Sequence, residues 1–95
     1  MKSREGKYFV YIVHCTDGTY YTGYTKDLKE RIALHNSGYG AKYLRGKSPV
    51  KLVYTKEYRY YKNALSAERR IKGLTRQQKS KLVRSYAENS SEIAE

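Results

Sequence analysis

Ninety-five residues are enough for one domain with a small core, since a chain this short buries only about 60–65% of its unfolded surface. At 39% hydrophobic and 31% charged, it is too apolar for a disordered tail and too polar for a membrane protein. The net charge of +11 suits a polyanion, nucleic acid above all, because each neutralised phosphate releases counterions; a charge kept only for solubility is the bland alternative.

In chain order, Tyr8 to Cys15 is rich in aromatic and β-branched residues and Tyr20 to Thr25 repeats that composition after Asp17-Gly18, which predicts a β-hairpin. A three-residue loop, Thr16-Asp17-Gly18 with Gly18 left-handed, would pair Tyr11 with Gly23 and Val13 with Tyr21. Both tyrosines would then share a face, whereas a two-residue turn would part them. Asp27 with Glu30 reads as a capping box opening a helix to Asn36, and Gly38 and Gly40 stop it. Ser37 to Pro49, glycine-rich and basic, reads as a loop, and Val50 to Tyr58 as a third strand. Ala64, Leu65, Ile71 and Leu74 recur at helical spacing up to Gly73, and Thr75 with Gln78 opens a last helix. The expected class is α+β, a three-stranded antiparallel sheet flanked by helices in the order β-β-α-β-α-α.

All twenty Lys and Arg precede Glu88, so residues 1–87 carry twenty bases against six acids and a net charge of +14. That division predicts a domain over 1–87 and an acidic flexible tail over 88–95, with the last helix ending before the tail. The apolar stretch Phe9 to Val13 is too short for a signal-peptide core or a membrane span. Neither secretion nor a membrane is expected, and the expected compartment is the cytoplasm. A lone Cys15 allows no internal disulfide, and unclustered Cys and His argue against structural zinc.

Two helical positions break their own pattern with groups that phosphate chemistry uses. Leu28, Ile32 and His35 follow i, i+4, i+7, which puts Arg31 and His35 at the edge of the buried stripe. Ala64, Glu68 and Ile71 follow the same spacing, so a carboxylate stands where leucine is expected. Burying it unpaired costs several kcal/mol (order of magnitude), so it must hold a metal or an ion pair, for example with Arg31, Arg69 or a lysine. His35 alone also fits a polar helix end. Twelve tyrosines among so many cations suit base stacking as well as sheet packing, while Cys15 and His14 read as structural.

Phe9-Val10-Tyr11 and Tyr21-Thr22-Gly23 resemble the two halves of the GIY-YIG motif. Arg31 falls ten residues past Tyr21, His35 four later and Glu68 on the following helix, in the order of the GIY-YIG nuclease superfamily. His35 to Tyr43, with Pro49-Val50 and Leu52-Val53-Tyr54, is most similar to its small stand-alone single-domain bacterial branch. Phe9 replaces the motif's first glycine, Thr22 its middle aliphatic, and Leu44 a usual threonine.

The resemblance implies a metal-dependent endonuclease acting on phosphodiester bonds, in DNA rather than RNA, with DNA repair or damage response as its setting. Water would attack phosphorus in line with the departing 3′ oxygen. By the same resemblance Tyr11 is the general base, Arg31 stabilises the transition state, Glu68 anchors Mg²⁺ or Mn²⁺, and Tyr21 and His35 orient phosphate or water. Gly23 would keep the backbone low beneath the phosphate. Lys42, Arg45, Lys47, Arg69, Arg70, Lys72 and Arg76 are the candidate phosphate contacts. Relatives carry separate DNA-reading domains and none is legible here, so specificity is expected from DNA shape or a protein partner. The rival readings are a binding module on the same fold that does not cut, and a structural or regulatory subunit.

Overall fold

The β-branched and aromatic run around Val10 forms the middle strand of a three-stranded sheet in a computed structural model that describes residues 4–93, with side chains from 4 to 89. The elements are β1 (Glu5–His14), β2 (Tyr20–Thr25), α1 (Leu28–Asn36), β3 (Lys51–Tyr60), α2 (Tyr61–Lys72) and α3 (Arg76–Ile93). The class is α+β in the expected order, and the sheet runs β2-β1-β3 with both pairings antiparallel. No helix among the described residues is long and apolar enough to cross a membrane.

β1 is buried on both faces, and its alternation sorts the core into two clusters. Tyr8, Val10 and Ile12 pack with Tyr54 and with Ala64, Ala67 and Ile71 of α2, while Leu82, Val83 and Tyr86 of α3 close over them. Tyr11, Val13 and Cys15 face the other way, toward Leu44, Val50 and the Leu28 and Ile32 side chains of α1. The hairpin has the three-residue loop: Cys15 N–H donates to Thr19, Gly18 N–H donates to Cys15, and Gly18 sits at φ +85°. Tyr11 therefore pairs with Gly23 and Val13 with Tyr21, putting both motif tyrosines on one face.

Local chemistry explains the ends of the helices. The Asp27 carboxylate accepts the Glu30 N–H, and Thr75 with Gln78 forms a reciprocal box at 2.9 and 3.2 Å. α1 closes with Gly38 left-handed, its N–H reaching His35 while Tyr39 N–H reaches Leu34. α3 runs past the expected stop at Glu88 through Ile93, since that stretch holds neither Gly nor Pro. Ala94 and Glu95 of the expected tail lie outside the described residues.

The segment between α1 and β3 holds more structure than its glycines suggested. A 3₁₀ turn over Lys42–Leu44 drives Leu44 into the cluster around Tyr11, which gives this departure from the motif a packing role. The Asn36 carboxamide accepts Val50 N–H at 2.6 Å and donates to Val50 C=O at 3.4 Å, fastening the two ends of the loop together.

Candidate active site

β2 is an edge strand, and α1 and α2 flank it to leave a cleft of about 560 Å³. Tyr11, Tyr21, Gly23, Arg31 and Glu68 all line it, so residues far apart in sequence meet in one place. β1 and β2 deliver the tyrosines and the glycine, α1 the arginine and α2 the carboxylate.

Tyr11 reaches the cleft across Gly23. A Cβ built at Gly23 would stand 2.7 Å from Tyr11 Oη and 2.9 Å from Cζ, closer than a real side chain approaches. Gly23 is thus glycine because the Tyr11 hydroxyl occupies the space above it.

His35 is the one buried side chain of α1, 1% exposed, and its Nε2 lies 2.8 Å from Tyr11 Oη. Its Nδ1 accepts the Ala41 N–H at 3.3 Å. Two N–H groups cannot face each other, so Nδ1 carries no proton and the neutral ring must hold its proton on Nε2. His35 therefore donates to Tyr11. Burial and then the Arg31 charge lower the His35 pKa and keep the ring neutral. Gly40 seats this ring: a Cβ there would collide with Nδ1 and with the His35 backbone. Tyr21 completes the aromatic wall, its ring 5.7 Å from His35 and 6.5 Å from Tyr11.

The Tyr11 phenol is pushed far above its ordinary value, first by burial, then by Tyr21; Arg31 pulls it down and Glu68 raises it. Glu68 is 8% exposed and its ion pair is with Lys72, one turn on, at 3.5 Å. A half-exposed lysine at that distance is a counter-charge that a cation can replace. No group of three His, Cys, Asp or Glu side chains assembles among the described residues. A lone carboxylate beside phenolic oxygens fits a hard ion such as Mg²⁺ or Mn²⁺, which takes one or two protein ligands and fills its shell with water and phosphate oxygens.

The cations nearest this chemistry include two that sequence reasoning passed over. Arg4, its guanidinium 4.4 Å from the centre of the Tyr61 ring, and Lys26, 5.5 Å from that of Tyr8, line the cleft with Arg31. Lys26, two residues past Tyr24 and one before the α1 cap, was the legible signal; Arg4 had none. Lys42, Arg45, Lys47, Arg69, Arg70, Lys72 and Arg76 do not line the cleft. Lys42 and Arg45 are exposed on the loop, and Arg69, Arg70 and Lys72 on α2. Lys47 pairs with Asp17 at 3.2 Å, and Arg76 donates to Gly18 C=O at 2.7 Å.

Comparison with known proteins follows the same residues. The family described as the GIY-YIG catalytic domain matches residues 7–81. A UPF0213 protein of Staphylococcus epidermidis is 52% identical over 77 residues, spanning 81% of this chain and 94% of that one. One of Halobacterium salinarum is 52% identical over 73 residues, spanning 77% and 95%. Among solved structures, a UPF0213 protein of Bacillus halodurans superposes with TM-score 0.55 at 45% identity over 81% of this chain and 82% of its own. A protein of E. faecalis does so with TM-score 0.60 at 34% identity, over 90% and 92%.

Proposed function

Since the chain belongs to the GIY-YIG nuclease family, we propose that it is a divalent-metal-dependent endonuclease that hydrolyses phosphodiester bonds in DNA, in the cytoplasm and in the service of repair or damage response. The observation that carries this reading is the convergence of Tyr11, Arg31 and Glu68 on one cleft, with the Tyr11 hydroxyl held by a buried histidine. A module that only binds has no need to desolvate a phenol, a histidine and a carboxylate together.

Glu68 would hold the Mg²⁺ or Mn²⁺, which when bound polarises the scissile phosphate and stabilises charge on the departing oxygen. Arg31 binds the phosphate and balances the charge that grows on it. Tyr11 takes the proton of the attacking water onto Oη. Its phenolate is the active form, and the His35 N–H stabilises that form because a hydrogen bond to a charged oxygen is about twice as strong as one to a neutral oxygen. Tyr21, which lines the same cleft, would help to orient the water or the phosphate. Since the Tyr11 pKa is raised, the phenolate fraction grows with pH, and the cleavage rate should climb from neutral into the alkaline range.

The test is incubation with single-stranded, duplex and branched DNA, with and without Mg²⁺ or Mn²⁺, for the wild type and three variants. Tyr11→Phe should lose cleavage by about 10²–10⁴-fold with binding retained. Glu68→Gln should abolish cleavage, keep the fold and bind nucleic acid as well as or slightly better than wild type. Arg31→Ala should weaken both. No cleavage of any substrate by the wild type, with Glu68→Gln merely melting the domain, would return the site to a binding role.

A further inference from the structure

Two large hydrophobic side chains stand out as exposed among the described residues, and both belong to the loop that leaves α1. Tyr39 is 83% exposed and Tyr43 51%. Exposed rings on a small basic domain offer flat faces to a ligand that can stack on them. The loop is not slack: Asn36 fastens its ends, Leu44 anchors its middle and Ala41 N–H ties it to His35. Tyr43 stacks on Tyr21 with ring centres 5.8 Å apart and planes at 22°, so a line of rings runs outward from the cleft. The Lys47 ammonium lies over the Tyr43 ring, 3.7 Å from its centre, and Lys42 and Arg45 are exposed on the same loop.

Exposed rings interleaved with cations on a rigid support are what a single strand requires: π-faces for its bases and positive charge for its backbone. A protein partner would be served by the rings without the lysines and arginine. A duplex keeps its bases stacked on each other and presents no face to Tyr39. We propose that Tyr39, exposed on the same anchored loop that carries the Tyr43–Tyr21 stack, is a base-stacking platform that selects unpaired nucleotides beside the cleft, an inference that rests on the nucleic-acid reading above.

The chain contains no tryptophan, so Tyr39→Trp places a single indole on the platform as a stacking reporter. It would be titrated without metal against oligo(dT) of about 12 nucleotides, a closed dumbbell duplex without free ends, and oligo(U). Oligo(dT) should quench the indole and the dumbbell should not. Tyr39→Ala, at an exposed position that leaves the melting temperature unchanged, should lower single-strand affinity by about 5- to 100-fold, the range for losing one stacked base, and leave duplex affinity as it was. Equal quenching by strand and dumbbell, or equal loss of both affinities in Tyr39→Ala, overturns the platform while the nuclease reading stands. Binding of neither by the wild type at low salt overturns both. Quenching by oligo(U) with the same preference over duplex sustains the platform and extends it to RNA.

Discussion

His35 shows how one side chain links site chemistry to stability. A histidine whose pKa is lowered in the fold binds a proton more readily when unfolded, so its neutral form contributes stability that is complete above the ordinary 6.5. That contribution is lost as pH falls through 6.5 toward the folded value. The melting temperature should drop with acid in this window, and His35→Gln, which does not titrate, should flatten the slope. The same variant sorts roles. A glutamine amide can still donate where Nε2 stood, so His35→Gln should keep part of the cleavage that His35→Ala loses. The residual activity of His35→Ala should move to higher pH, because the Tyr11 phenolate has lost its donor, and that of His35→Gln should move less. An unchanged pH–rate profile in His35→Ala would reduce His35 to packing. The sequence placed His35 and Arg31 on one helix face, but it could not show that His35 is a donor. That follows from Ala41 N–H, whose position depends on the path of the loop.

At the scale of elements, what was legible was what local chemistry dictates. The hairpin register followed from Gly18, the Asp27 cap and the Thr75–Gln78 box from their residue spacing, and the Glu68 anomaly from helical periodicity; the box expected of Asp27 and Glu30 is half made, since Asp27 N–H donates to the Thr25 hydroxyl. The loop of 37–49 was not legible, because its order comes from contacts across many residues. Gly40 reads as a helix stop, yet it is the space that a histidine ring fills. Asn36 reads as a helix end, yet it serves as the clasp of the loop. Asn36→Ala would leave the N–H of buried Val50 without its acceptor, at a cost of about 1–3 kcal/mol. For a domain this size the melting temperature should fall by about 4–8 °C per kcal/mol. Amide hydrogen exchange should quicken at Val50 and Ala41 before it does in β1, and cleavage should fall as the His35 donor loses its alignment. If exchange at Ala41 stays as slow as in wild type, the loop is held by Leu44 alone.

At the scale of the whole molecule, the +11 charge is less a uniform coat than a set of positions with different duties. Lys47, Lys72 and Arg59 pair with Asp17, Glu68 and Glu5, and Arg76 braces the hairpin turn. Arg4, Lys26 and Arg31 line the cleft at the β2 edge, and Lys42 and Arg45 extend from the adjoining loop. A strand lying across the cleft and the loop would meet these five, so charge position, and not charge total, should set the affinity. Each phosphate neutralised on a single strand contributes about −0.7 to the slope of log K against log salt. Lys26→Ala should therefore make the slope shallower by about 0.7 and weaken binding at low salt, with a smaller loss at high salt. Arg59→Ala is the matched control. It removes the same formal charge from β3, the edge opposite β2, and should leave the slope and the low-salt affinity as in wild type. Equal effects of the two variants would mean that total charge alone attracts the nucleic acid, and a binding constant flat in salt would remove the phosphate track altogether.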